Sequence, residues 1–318
     1  MTDGLAEMVR GAVHDFLHAH GDSASGAALA DFGLPEFLDE DDRTAISVFF
    51  DEAGRSAAAT AGLDVLAGWL LKEVAADSEA VALVIQPRGA ADGTVSGLLL
   101  GPGTSRARIL VADAGECRAH LYPAANLETK AIAGIDPSSH ARIVTLTLSQ
   151  AEATELPADI PVRLISGLRR AVAYELVGLS ARMLEVSCAH VSARVQFGRP
   201  IGANQSVQHR LADVYTAIQA ARAVLDATWA GADEWLTCAV AYVLASEATD
   251  TAIRHSLQVC GGMAFTEEFA LAPLVRRALL LCGVFEAPDE VAREIAKLLA
   301  EEGEVPRLGG FTKEDIHD

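Results

Sequence analysis

Residues 162–194 constrain this chain more than any other stretch, because apolar side chains recur at helical spacing along all of it, up to the break at FGRPIG. A helix that long and that apolar is not surface decoration. It has to be packed against other helices along its length. Two more long helices follow, about 206–230 and 233–259. A shorter one spans about 268–282 and contains Pro273, and a last one begins near Pro288, where proline suits a first turn. Four of these packed together make a bundle, and any apolar face left over favours an oligomer.

The rest of the chain has a different texture. Leu5, Met8, Val9, Ala12, Val13, Phe16 and Leu17 recur at helical spacing, with breaks at HGDSASG and FGLPEFLDEDD. Asp42 is read as the cap of a helix carrying Ala45, Ile46, Val48 and Phe49, and a third helix covers roughly Ala57 to Leu71. Between about 78 and 150 the runs AVALVIQP, ARILVAD, CRAHLY and ARIVTLTL are short and β-branched, separated by turns such as PRGAADG and GPGTS. The expected organisation is mainly α with a small middle β domain of few strands: helical 1–76, β 77–152, helical bundle 153–303 and a polar tail 304–318.

Composition excludes several classes. The chain has 318 residues, a net charge of −19 and 51% hydrophobic residues, much of that alanine, which favours helices. That acidity argues against nucleic acid and against an anionic membrane surface as partners. Five scattered cysteines without a C-x-x-C suggest reduced thiols in a cytoplasmic protein rather than a zinc ribbon or a redox pair. MTDGLAEMVR does not read as a signal peptide, and no apolar run is long enough to span a bilayer without charges. No G-x-G-x-x-G after a strand, Walker A or G-x-S-x-G elbow occurs. His14 and His18 lie one helical turn apart with His20 nearby. They read as a solvated face rather than a metal site, because no acidic third ligand is arranged around them.

Three segments carry chemistry. In ARVQFGRPIGANQSVQHRLADV, residues 193–214, Arg194 offers a planar fork of donors suited to phosphate and Phe197 a flat face for a ring; an αα-hairpin with Arg194 in solvent accounts for the same residues. In QVCGGMAFTEE, residues 258–268, Gly261–Gly262 permit close backbone approach to a ligand, or simply cap a helix. In GVFEAPDE, Glu286 stands before Pro288, either as a general base or as an acid favoured by the helix dipole.

In this order and spacing, Arg194-Val195-Gln196-Phe197-Gly198-Arg199-Pro200-Ile201, Gln205, Leu211-Ala212-Asp213, Gln258-Val259-Cys260-Gly261-Gly262 and Phe265-Thr266 resemble the acyl-CoA dehydrogenase family. The resemblance implies a helical domain, a middle β domain and a C-terminal four-helix bundle, and an FAD-dependent α,β-dehydrogenation of an acyl-CoA thioester, with the flavin accepting hydride and a glutamate removing the α-proton. It further implies that Arg194 contacts the FAD pyrophosphate, that Phe197 packs near the adenine end, and that Gln205, Gln258, Gly261 and Gly262 help line the same cofactor across a subunit interface. An electron-transfer flavoprotein would be the acceptor.

The departures are as informative. The family's Tyr-Glu-Gly-Thr-x-Gln is here Phe285-Glu286-Ala287-Pro288-Asp289-Glu290, and the alternative position for the base falls on Leu168, before Arg169. Glu175 stands on the same helix where the family usually has a small residue. The Thr-Glu-Pro-x-x-Gly-Ser-Asp segment has only PRGAADGTVSG as a poor counterpart. This abbreviation resembles the short subunits of heteromeric α2β2 acyl-CoA dehydrogenases of actinobacteria, some of which oxidise steroid side chains. Three readings follow: a subunit completing a shared FAD site without its own base, a self-sufficient homo-oligomeric enzyme using Glu286, and a helical scaffold that no longer binds FAD.

Overall fold

The computed structural model describes residues 2–302 apart from 22–23, 74–80, 87–93, 101–107, 114–116, 124–126, 133, 148–153 and 231–233. The turns PRGAADG and GPGTS and the tail 304–318 lie outside the described residues.

Among the described residues five helices come first: α1 (Thr2–His20), α2 (Gly26–Phe32), α3 (Leu34–Glu40), α4 (Asp42–Ser56) and α5 (Gly62–Leu70). The segment FGLPEFLDEDD, expected as a break, contains α3. Gly33, at φ 88°, ends α2 and starts α3, and Pro35 fits the first turn of α3. The cap of α4 is Asp41 rather than Asp42: the Asp41 carboxylate accepts from the Thr44 N–H at 3.0 Å. Ala57 adopts a left-handed conformation that closes α4, so the next helix starts at Gly62 and not at Ala57.

Among the described residues seven strands form one sheet: β1 (Val81–Gln86), β2 (Thr94–Leu99), β3 (Arg108–Asp113), β4 (Arg118–Pro123), β5 (Leu127–Ala131), β6 (Arg142–Thr147) and β7 (Thr154–Glu155). Their order is β5-β6-β2-β1-β3-β4-β7, antiparallel except for the parallel pair β1–β3, in register Leu83↔Leu110. The sheet is wider than the few strands expected, since its strands are short and their turn signals merge. Leu83, Ile85, Leu110, Ala112, Ala119 and Leu121 are buried in the same core as the helices. The Leu83 N–H donates to the Asp64 carboxylate at 2.9 Å, which ties β1 to α5.

The second helical half holds α6 (Asp159–Ala193), a hairpin of β8 (Val195–Gln196) and β9 (Arg199–Pro200), then α7 (Gln205–Ala227), α8 (Glu234–Cys260), α9 (Leu271–Leu281) and α10 (Pro288–Glu302). Helices α6, α7 and α8 pack on one another, with α9 against α6 and α10 against α8. The cross-links Arg170–Glu234, Ser180–Thr249 and Ser187–Cys260 climb both helices together, so α6 and α8 run parallel. Where α4 crosses α6, a Cβ on Gly54 would collide with the Glu175 carbonyl and one on Gly178 with the Asp51 carbonyl, so backbone lies on backbone. Asp51, buried at this crossing, accepts from Arg10 at 2.7 Å, Arg55 at 3.1 Å and Arg222 at 2.9 Å, joining α1, α4 and α7. Among the described residues no helix is long and apolar enough to cross a membrane.

Candidate functional site

At the N-terminal end of α6 the polar groups are sealed inside the protein. Arg169 is fully buried (0% exposed) and its Nη2 donates to Glu286 Oε2 at 3.1 Å. The guanidinium lies over the Trp235 ring at 5.5 Å, while its Nε and Nη1 have no hydrogen-bond acceptor among the described residues. Burial works against the Arg169 charge and Glu286 supports it. The Tyr242 hydroxyl donates to the Glu286 carbonyl at 3.2 Å, and Tyr242 packs edge-on against Phe285. Glu286 itself is 5% exposed. A general base must reach the proton it removes. The Glu286 carboxylate instead faces a buried arginine of its own chain. Leu168, the other position considered for a base, is buried and apolar.

Glu175 is spent in the same way. Its Oε1 accepts from Arg277 Nε at 2.8 Å, and Asp136 lies 3.9 Å from the same guanidinium. Burial pushes the Glu175 carboxyl up and Arg277 opposes that push. The pair fastens α6 to α9. These buried pairs were not legible as pairs in the sequence. The one available signal was charge inside an apolar run, at Arg169, Arg170 and Glu175.

The other end of the bundle is open. Arg194 ends α6 in an extended conformation, and the Ile201 N–H donates to its carbonyl at 2.9 Å, closing the β8–β9 hairpin. Phe197 and Gly198 connect the strands with φ 54° and 80°. Two positive φ values in a two-residue loop are those of a type I′ turn, where asparagine-glycine is the usual pair. Phenylalanine there is strained, and Phe197 is fully exposed (102%). The αα-hairpin reading is thus corrected: a β-hairpin intervenes between α6 and α7. Gln205 is the exposed first residue of α7.

Because α6 and α8 are parallel, the end of α8 reaches the same end of the bundle. Gln258 is exposed in its last turn. Gly261 follows at φ 63°, and a Cβ on either Gly261 or Gly262 would meet nothing within 4 Å. With Arg210, Arg254, His255 and Phe265, these residues line a cleft of about 630 Å³. The structure therefore brings Arg194, Phe197, Gln205, Gln258, Gly261 and Gly262 to one end, while Glu286 sits about 36 Å away along α6, taking ~1.5 Å per helical residue. Arg210, Arg254 and His255 went unnoticed in the sequence because three unconnected polar residues on two helices leave no local pattern. His14 and His18 stack on one face of α1 and His14 Nδ1 lies 2.8 Å from Glu52; no group of three metal-ligating side chains occurs among the described residues.

The family model for the acyl-CoA dehydrogenase C-terminal domain matches residues 162–297. The acyl-CoA dehydrogenase IpdE2 of Mycobacterium tuberculosis is 40% identical over 124 residues, which is 39% of this chain and 39% of that protein. The chain thus aligns with about two fifths of the length of such curated relatives. Among solved structures, a variant of the Tcur3481-Tcur3483 steroid ACAD superimposes with a TM-score of 0.80 at 20% identity, covering 95% of this chain and 99% of that one. A chain of the ChsE4-ChsE5 complex from Mycobacterium tuberculosis follows at 0.76 and 20%, covering 95% and 98%. The chain carries an acyl-CoA dehydrogenase C-terminal domain over residues 162–297 and has the acyl-CoA dehydrogenase fold.

Proposed function

We propose that this chain is a subunit of an FAD-dependent acyl-CoA dehydrogenase. It lends one end of its bundle to an FAD shared with a second acyl-CoA dehydrogenase-like chain, and the catalytic base comes from that partner. One observation carries the reading: the phosphate-seeking and ring-stacking residues are all presented to solvent at one end, while the chain's own glutamate is locked in a buried ion pair at the other. The two structural neighbours, a steroid ACAD and a ChsE4-ChsE5 complex, support both the two-chain assembly and a bulky acyl substrate such as a steroid side chain.

The residues present fit the cofactor's dinucleotide half. Arg194 is an exposed guanidinium suited to bidentate contact with a pyrophosphate. Gly261 and Gly262 expose backbone with open space beside it, Gln205 and Gln258 offer amides, and Phe197 offers a ring face. When bound, FAD would accept the β-hydrogen of the acyl thioester as hydride and pass electrons to an electron-transfer flavoprotein. This chain's residues bind and orient it. The proposed organisation is helical 1–76, β 77–152, bundle 153–303 and tail 304–318.

The test is the visible spectrum of the chain purified alone and after co-expression with a second acyl-CoA dehydrogenase-like chain from the same genome. The reading expects little or no flavin absorption alone and a flavin spectrum in the co-purified pair. Yellow protein from the single chain that is bleached by acyl-CoA would instead establish a self-sufficient enzyme. A colourless pair would favour the scaffold.

A further inference from the structure

A second cleft, of about 630 Å³, opens between α1, α4, α6 and the start of α9, and shares no residue with the bundle end that holds Gly261 and Gly262. One wall is flat: His14 and His18 stack parallel on α1 with ring centroids 6.3 Å apart. Leu17, Ala57, Ala58 and Leu274 line the cleft and are buried, so its floor is apolar. The other walls are charged, and their carboxylates are already taken. Glu185 accepts from Arg55 at 2.6 Å through Oε1 and from Arg182 at 3.1 Å through Oε2. Glu52 accepts from His14 at 2.8 Å and from Arg10 at 3.4 Å. The arginines are not used up. Arg55 commits Nε and Nη1, and Arg182 commits Nη1, so Arg55 Nη2 and Arg182 Nε and Nη2 have no acceptor among the described residues. In this linked network Arg10, Arg55, Arg182 and Arg222 meet Asp51, Glu52 and Glu185, one cation more than the carboxylates with the histidines counted neutral. In a chain of net charge −19 that is a local excess of the rarer sign. Ala270 and Pro273 add the first turn of α9, whose positive dipole end no side chain caps.

We propose that this cleft binds a small amphipathic carboxylate, with its charged end on Arg182 and Arg55 and its hydrocarbon body along Leu17, Ala57, Ala58 and Leu274. The planar fork of an arginine matches a carboxylate. A bare oxyanion would leave the apolar floor wet. A neutral hydrocarbon would strip water from the guanidinium donors without replacing it. One molecule with both parts satisfies both surfaces. The cleft also falls within the size range of small-ligand sites, about 300–1,000 Å³. The site uses none of the residues assigned to FAD, so it stands apart from the function proposed above.

The experiment is calorimetric titration of decanoate, and separately of acetate and of decyltrimethylammonium, into the chain purified alone, repeated with Arg182→Met and with Pro273→Glu. Arg182 and Pro273 are exposed, and a glutamate suits the first turn of a helix, so both variants keep the melting temperature. The expected result is saturable decanoate binding, roughly tenfold or more tighter than acetate or the ammonium, and a loss of roughly tenfold or more in decanoate affinity in each variant. The first variant removes the cation, and the second sets a negative charge on the opposite wall. Unchanged decanoate affinity in either variant that keeps its melting temperature overturns the site. So does equal affinity for decanoate and the ammonium, or no saturable decanoate binding by the wild-type chain.

Discussion

The two ends of α6 are built from similar side chains and use them in opposite ways. Near its start, Arg169 and Glu286 pair their charges where both are buried. At its finish, Arg194 and Phe197 face solvent, and one of them does so in a strained backbone conformation. A buried pair has its counter-charge already and needs no ligand. An exposed arginine and an exposed aromatic ring have the chemistry to meet a ligand, which is the role proposed for them. This contrast separates residues that hold the fold from residues held ready by it. On the function proposed here, it also accounts for a glutamate in the right stretch of sequence whose carboxylate faces an arginine of its own chain.

The largest effect is expected at the closed end. Arg169→Met leaves the Glu286 charge in an apolar surround and should cost about 3–5 kcal/mol in urea denaturation, as should Glu286→Gln for the arginine left behind. The double variant should be more stable than either single one, because no lone buried charge remains. Flavin content and flavin reduction by acyl-CoA in the co-expressed pair should survive Glu286→Gln. If that variant keeps FAD but can no longer be reduced, Glu286 is the base and the contrast between the ends collapses.

The next effect belongs to the open end and has the reverse signature. Arg194→Ala should leave stability within about 0.5 kcal/mol. It should weaken FAD retention in the assembled pair by roughly 1.5–3 kcal/mol, the worth of a charge-assisted hydrogen bond. Dialysis against increasing salt, followed by flavin absorption, reads the difference. Undiminished flavin after dialysis would take Arg194 out of the site.

These two ends were not equally legible in the sequence. The open end is local: Arg194 through Ile201 and Gln258 through Gly262 are short contiguous strings whose residue types announce a turn, a cation and exposed backbone. Helical periodicity also placed α6, α7 and α8 within a few residues of their ends, since an apolar face repeats itself many times over such lengths. The closed end depends on Arg169 and Glu286 meeting across 117 positions, and no spacing rule encodes that. The β-hairpin was missed because phenylalanine occupies a turn position where asparagine would have signalled it. Helix α3 was missed because a Gly-Leu-Pro string reads as a break, whereas here the glycine caps one helix and the proline starts the next.

Phe197→Asn tests strain directly. Asparagine tolerates the left-handed conformation, so the isolated chain should gain about 0.5–1 kcal/mol while the pair loses flavin affinity. A gain in stability with no loss of flavin would mean that the ring does not touch the cofactor.

The smallest effect is a pH dependence confined to the open end. Burial holds the pKa of His190 and of His255 below 6.5, helped by Arg194 and Arg210 respectively. Each histidine takes up a proton near pH 6.5 in the unfolded chain but resists it when folded, so between the folded pKa and 6.5 the unfolded state binds more protons. The stability they contribute is fully present above pH 6.5 and is lost as the pH falls below it. The melting temperature of the chain alone should therefore drop modestly on going from about pH 7.5 to 5.5, beyond the loss from its carboxylates. The double variant His190→Asn/His255→Asn should flatten that part of the curve.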